Sequence, residues 1–173
     1  MGLRVCVAGA TGWVGRELVK AVEAAPDLEL AGAVARGAAG TEIAGVRVSA
    51  TLDEALAAPT DVVVDYTKPG VVKGHVLGAI ARGCHVVVGT SGLGAEDYAE
   101  IDAAARARGT GVVAAGNFSV TAALMQRFTL MAAAFVPDVE VIDYAGATKP
   151  DVPSGTAREL AERLEAARGG PGS

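Results

Sequence analysis

Aromatic side chains are scarce in this sequence: one tryptophan, three tyrosines and three phenylalanines among 173 residues. A core of this kind rests on aliphatic packing and close backbone approach, not on stacked rings. Alanine and glycine supply much of it. Cysteine is limited to Cys6 and Cys84, each beside or within an apolar, strand-like run and without metal-ligand spacing. That argues against a disulfide scaffold and a metal site, and reads as two buried thiols in a reducing, cytoplasmic compartment. Fifteen basic against twenty acidic residues leave a net charge of −5 with no Lys/Arg block, so no nucleic-acid partner is expected. No charged-then-apolar segment precedes the first apolar run. The uncharged stretch Thr110 to Gln126 is interrupted by Asn117, Ser119 and Thr121, so no membrane span and no membrane partner are expected.

What is present is alternation. Leu3 to Ala8 is a short apolar run rich in valine, followed by glycines and then a helical pattern with Val14, Leu18 and Val22 on one face and Val19 beside them. Leu28 to Val34 reads as a second strand, Asp53 to Ala58 as a short helix, and Asp61 to Asp65 as three valines between acids. Val71 to Arg82 is helical, Cys84 to Val88 a buried strand, Ala95 to Arg108 a helix and Gly111 to Ala115 a strand. Continuous apolar strands separated by helices indicate a parallel sheet covered on both faces. The expected fold class is α/β, a doubly wound (Rossmann) parallel sheet.

The first strand and helix are joined by Gly9-Ala10-Thr11-Gly12-Trp13-Val14-Gly15. In that context Gly9 allows the tight turn, Gly12 lets the backbone approach a pyrophosphate, and Gly15 lets the helix sit close to the sheet. Trp13 covers a bound nucleotide or packs at the surface. About twenty residues further on, where a carboxylate would select NAD, the stretch Ala33-Val34-Ala35-Arg36-Gly37 carries no acid and one arginine. A guanidinium suits a 2′-phosphate by charge and geometry, so NADPH is the expected cofactor, with NADH possible.

Three further strand ends carry small and polar residues: Asp65-Tyr66-Thr67-Lys68-Pro69, Gly89-Thr90-Ser91-Gly92 and Ala115-Gly116-Asn117-Phe118-Ser119. Ligands in doubly wound sheets lie beyond such carboxyl ends. Near the C-terminus, Lys149-Pro150-Asp151-Val152-Pro153-Ser154-Gly155-Thr156 leads into a helix-like run, Ala157 to Ala167. A helix start beside two hydroxyls and an ammonium makes a pocket for a carboxylate. The alternative is a plain capping box, with Thr156 at the N-cap and Glu159 three residues on.

In this order these motifs resemble the 4-hydroxy-tetrahydrodipicolinate reductase (dihydrodipicolinate reductase) family, over nearly the whole chain. The resemblance implies an NAD(P)-binding Rossmann domain over residues 1–118. Residues 119–173 would be the start of a second, incomplete α/β substrate domain, with a strand at Val139 to Tyr144 and a helix at Thr156 to Ala167. It implies reduction by NAD(P)H of 4-hydroxy-tetrahydrodipicolinate or a related cyclic imine in the diaminopimelate route to lysine. A non-catalytic NADP-binding homologue on the same scaffold is the alternative. By similarity, Gly9, Ala10, Thr11, Gly12, Trp13 and Val14 cradle the pyrophosphate and Arg36 meets the adenosine ribose or its phosphate. Thr67, Gly89, Thr90, Ser91, Ala115, Gly116, Asn117 and Phe118 border the nucleotide. Thr90, Ser154, Gly155 and Thr156 meet the substrate, a small dicarboxylate ring, and Lys149 donates the proton. The chain departs from the family at Ala145 and Gly146, where two adjacent histidines are usual. It also stops after the first strand and helix of the second domain, so a homo-oligomer, or a second chain completing that domain, is expected.

Overall fold

The computed structural model describes residues 2–136, 138–144 and 152–168. The chain falls into two compact units, residues 1–114 and 115–173.

The first unit is built on a seven-stranded sheet. Its strands are β1 (Leu3–Ala8), β2 (Leu28–Val34), β3 (Glu42–Ile43), β4 (Val46–Ser49), β5 (Val62–Asp65), β6 (His85–Val88) and β7 (Val112–Ala114). Their order in space is β3-β4-β2-β1-β5-β6-β7. All pairings are parallel except β3 with β4. The helices are α1 (Trp13–Ala24), α2 (Leu52–Ala55), α3 (Pro69–Ala81) and α4 (Ala95–Arg108). A 3-10 turn at Arg36–Ala38 follows β2.

The continuous apolar strands have the predicted cause. Successive residues of β1 alternate between two separate cores. Val5 and Val7 pack with Val19 and Val22 of α1 and with Ala33 and Val48. Cys6 and Ala8 face the other way, towards Val63 and Val86 of the sheet, Val72, Val76 and Ile80 of α3, and Ile101 of α4. Helices therefore cover both faces, as a buried parallel sheet requires. The order in which strands are added reverses between β1 and β5. The crossover through α1 runs to β2 on one side, and β5 starts the run to β6 and β7 on the other, which makes the carboxyl ends of β1 and β5 the switch point of the sheet.

Several expectations shift. Val14 is not on the buried face of α1 but 45% exposed; the buried stripe is Gly15, Val19 and Val22. The short helix spans Leu52–Ala55, closed by a capping box between Thr51 and Glu54. The β3–β4 hairpin carried no expectation. It turns on Ala44 and Gly45, both at positive φ (52° and 75°), the conformation a two-residue hairpin turn needs.

The second unit contains α5 (Val120–Ala132), with the Ser119 hydroxyl accepting from the Ala122 amide, and α6 (Gly155–Arg168). Leu160 and Leu164 of α6 pack with Ala133 and Leu130. The expected strand at Val139 to Tyr144 is absent: residues 138–144 carry no regular structure. A strand needs a partner for its ladder, and the β-branched pattern of Val139, Val141 and Ile142 finds none among the described residues.

Cys6 and Cys84 are both free and buried. Burial pushes the Cys6 thiol up to about 12, with the nearby Cys84 and Asp65 charges adding to the shift, and burial raises Cys84 as well. Neither thiol should react with a soluble aromatic disulfide at pH 8 until denaturant unfolds the first unit. Stoichiometric labelling of the native chain within minutes would contradict this packing.

Candidate functional site

At the switch point the loop after β1 is held tightly. Gly9 adopts φ +87°, and a Cβ there would collide with the Tyr66 carbonyl at the end of β5. A Cβ on Gly15 would run into the Gly9 carbonyl. The two glycines let α1 begin directly against the ends of β1 and β5. Three loop amides are already satisfied: Gly9 and Ala10 donate to the Val34 carbonyl at 2.9 and 3.1 Å, and Gly12 donates to the Gly9 carbonyl at 2.9 Å. The N-cap Gly12 offers no side-chain cap, and the first turn holds no acid. The amides of Trp13, Val14 and Gly15 therefore lack intrahelical partners at the positive end of the dipole. Trp13, the only tryptophan, is 97% exposed. Arg36 is also exposed and opens the 3-10 turn beyond β2, on the same edge of the sheet.

The densest polar cluster of this unit surrounds Asp65, the last residue of β5, whose side chain is fully buried. Its Oδ1 accepts from the Thr90 hydroxyl at 2.6 Å, the Thr67 hydroxyl at 2.7 Å and the Thr67 amide at 3.1 Å. His75 Nδ1 on α3 meets Oδ2 at 2.8 Å. The Thr67 amide also donates to the Thr90 hydroxyl at 2.7 Å, so the ends of β5 and β6 are tied together. Burial alone drives this carboxyl's pKa up. The hydrogen bonds from His75, Thr90 and Thr67 outweigh that and hold it below the ordinary carboxylate value. Gly89 is the place where the Tyr66 ring lies against the backbone; a Cβ there would meet that ring. Thr67, Gly89, Thr90 and Tyr66 are thus brought together, and Ser91 follows as an exposed residue. The sequence named Thr67 and Thr90 but missed Asp65 and His75 as their support. The only signal was an acid ending an all-valine run, ten residues ahead of a histidine.

In the second unit the Ala115 to Phe118 segment lies against the start of α6. Asn117 Nδ2 donates to the Thr156 hydroxyl at 3.5 Å, and a Cβ on Gly116 would approach a Glu159 carboxylate oxygen to 2.8 Å. Phe118 is 46% exposed and Ala115 half-buried. The capping box expected at Thr156 and Glu159 does not form. The helix begins at Gly155, and Ser154 caps it by accepting from the Ala157 amide at 3.2 Å. A Ser-Gly pair permits the earlier start because serine caps as well as threonine does. Glu159 pairs instead with Arg163 at 2.6 Å. The Ser154 amide already holds a carboxylate, Asp143 Oδ2, at 2.7 Å. Lys149, Ala145 and Gly146 lie outside the described residues. No group of three or more His, Cys, Asp or Glu side chains poised for a metal occurs among the described residues, and none of the described helices is long and apolar enough to cross a membrane.

A doubly wound sheet with a glycine turn and an uncapped helix start at its switch point defines the class of α/β folds that bind dinucleotides. Comparison with known proteins narrows the class. The family model for the N-terminus of dihydrodipicolinate reductase matches residues 3–118. The 4-hydroxy-tetrahydrodipicolinate reductase of Nocardia farcinica is 40% identical over 97% of this chain and 63% of its own length. That of Streptomyces coelicolor is 38% identical over 99% of this chain and 64% of its own. Among solved structures, the dipicolinate-bound dihydrodipicolinate reductase of Paenisporosarcina sp. TG-14 superposes with a TM-score of 0.79. It is 30% identical over 98% of this chain and 68% of its own. The chain belongs to the dihydrodipicolinate reductase family. It spans 63 and 64% of the length of the two curated relatives.

The Asp65 cluster makes stability depend on pH. A carboxyl held below its ordinary value contributes stability that is present in full above about pH 4 and lost as the pH falls through the folded value. In urea unfolding, the stability gap between the parent and Asp65→Asn should be widest near neutrality and shrink below pH 4. A gap that stays constant to pH 3 would contradict the network.

Proposed function

We propose that this chain carries the nucleotide-binding part and the first substrate-binding elements of an NAD(P)H-dependent reductase acting on 4-hydroxy-tetrahydrodipicolinate or a closely related cyclic imine, in the diaminopimelate route to lysine. The observation that carries the reading is the conjunction of the switch-point loop in the first unit with the Ser154–Thr156 helix start in the second. Relatives bearing that name match both.

The fit to a dinucleotide rests on the tight strand-to-helix turn that Gly9 and Gly15 allow and on the uncapped first turn of α1. Residues 9–14 would take the pyrophosphate. Its direct donors are the Thr11 hydroxyl and the amides from Trp13 onward, since those of Gly9, Ala10 and Gly12 are spent on carbonyls. Arg36 would face the 2′-phosphate of NADPH, the preferred form, with NADH as the weaker ligand. Thr67, Gly89, Thr90 and Ser91 serve the nicotinamide half in the first unit; the family resemblance also assigns Ala115, Gly116, Asn117 and Phe118 to the nucleotide. A bound reduced nicotinamide supplies the hydride.

The remaining tasks fall to the chain. Ser154, Gly155 and Thr156 orient a ring carboxylate at the start of α6, where Asp143 now occupies one amide. Dipicolinate, the ligand named for the Paenisporosarcina relative, is a planar ring with two such groups. Lys149 would hold the proton that meets the negative charge developing on the ring when hydride reaches an electrophilic ring carbon. Alanine and glycine at positions 145 and 146 cannot supply the acid that a histidine would. Tyr144 is 92% exposed and ahead of them. Two buried free thiols fit a cytoplasmic setting. Exposed Val120, Phe128, Met131 and Phe135 support assembly into an oligomer or completion by further chain.

Two measurements check the reading. With NADPH and the condensation product of pyruvate and aspartate semialdehyde, absorbance at the nicotinamide band should fall. Lys149→Ala should slow that loss by about a hundred- to ten-thousandfold. Nucleotide binding without turnover on any cyclic imine would sink the reductase reading. For the cofactor, Arg36→Ala should weaken NADPH about tenfold or more while leaving NADH unchanged; equal effects on both would remove Arg36 from the 2′-phosphate.

A further inference from the structure

We propose that Asp65 is a positioning residue that fixes the Thr67 and Thr90 hydroxyls as hydrogen-bond acceptors for the nicotinamide half of the nucleotide, which must present a donor there. This rests on the nucleotide-site reading above. The geometry assigns the protons. Contacts of 2.6 and 2.7 Å from Thr90 and Thr67 Oγ1 to Asp65 Oδ1 each need one proton between the oxygens. Oδ1 has none to give, because the bonds from His75, Thr90 and Thr67 hold the carboxyl below its ordinary value and so ionised. Any proton shared with His75 lies on the Oδ2 side, 2.8 Å from Nδ1. Both hydroxyl protons are therefore committed inward. A threonine hydroxyl has one donor and two acceptor lone pairs. Thr90 spends one lone pair on the Thr67 amide at 2.7 Å and keeps one; Thr67 keeps its own.

Both threonines are half-buried just beyond the carboxyl ends of β5 and β6, and these lone pairs are the hydroxyls' uncommitted positions. Phosphates and carboxylates bring no proton at neutral pH and are refused there. The Thr90 hydroxyl is thus unsuited to a substrate carboxylate, which falls to the start of α6. A nicotinamide nucleoside brings two kinds of donor, the carboxamide amine and the ribose hydroxyls. Either satisfies the pair, and the acceptor polarity is what they share. A full carboxylate buried only to tie two loops would be a costly device, since neutral groups could do it. Holding two hydroxyls in one polarity requires an acceptor that cannot turn into a donor.

The test compares two ligands by calorimetric titration: NADPH, and adenosine 2′,5′-bisphosphate, which lacks the nicotinamide half. Thr67→Val and Thr90→Val should each weaken NADPH about three- to tenfold and leave the bisphosphate unchanged. Thr90→Ser, which keeps the hydroxyl, should restore the parent ratio, and Asp65→Ala should lose NADPH selectively. If Asp65→Ala does not fold, the valine variants, which remove no buried charge, still decide. The 3-acetylpyridine analogue of NADPH, which lacks the amine, separates the donors: weaker binding by the parent assigns the carboxamide, and equal binding assigns a ribose hydroxyl. Valine variants that bind NADPH as the parent does, or that lose both ligands equally, would overturn the proposal. A parent that binds neither ligand would remove the nucleotide reading and the proposal with it.

Discussion

A carboxylate with no exposed surface stands at the centre of the first unit, and the arrangement around it depends on its being satisfied. Asp65 is taken out of water between β1 and β6, paired in register with Ala8 and Val88. Isolated, such a group would cost several kcal/mol or take up a proton. Two hydroxyls, an amide and an imidazole prevent that. In doing so they pin the loop after β5 to the loop after β6 and hold α3 to the sheet through His75. The Tyr66 backbone, next in sequence, closes against Gly9, and its ring closes against Gly89. Three strand ends at the switch point are therefore one interlocked body, built without large aromatic packing.

The two units divide the chemistry. The first supplies amides at an uncapped helix start and an exposed arginine, groups suited to an anion. The second supplies a short helix start capped by Ser154 and an asparagine bonded to Thr156. The Asp143 carboxylate on the Ser154 amide shows what that helix start selects: an anion.

The sequence made the first unit legible because periodicity and burial agree there. β1, β2 and α4 begin and end where apolar runs and the glycine stops put them. The β3–β4 hairpin was hidden because strands of two and four residues have no measurable period, and its turn begins on an alanine where glycine or asparagine would be the usual cue. α5 begins inside an uncharged run that hides it, and the Ser119 cap is its one signal. Val139 to Tyr144 has strand composition, yet composition cannot create a pairing partner. At the site, the glycine loop and the Ser-Gly-Thr motif could be read directly. Asp65 could not, because its role depends on groups two, ten and twenty-five residues away that only the folded sheet brings together. Lys149 and the Ala145–Gly146 pair lie outside the described residues, so the proton donor rests on the motif that surrounds it.

Trp13 offers the most direct check on the central claim that the switch-point loop holds a pyridine nucleotide. It is the only tryptophan, it opens α1, and it is almost fully exposed. Titrating the chain with NADPH while following tryptophan emission, with free tryptophan as the control for light absorption by the nucleotide, reads the loop itself. Saturable quenching beyond the control, with transfer to the nicotinamide band and competition by adenosine 2′,5′-bisphosphate, is the outcome predicted. Emission that tracks the control throughout, up to millimolar nucleotide, would contradict it.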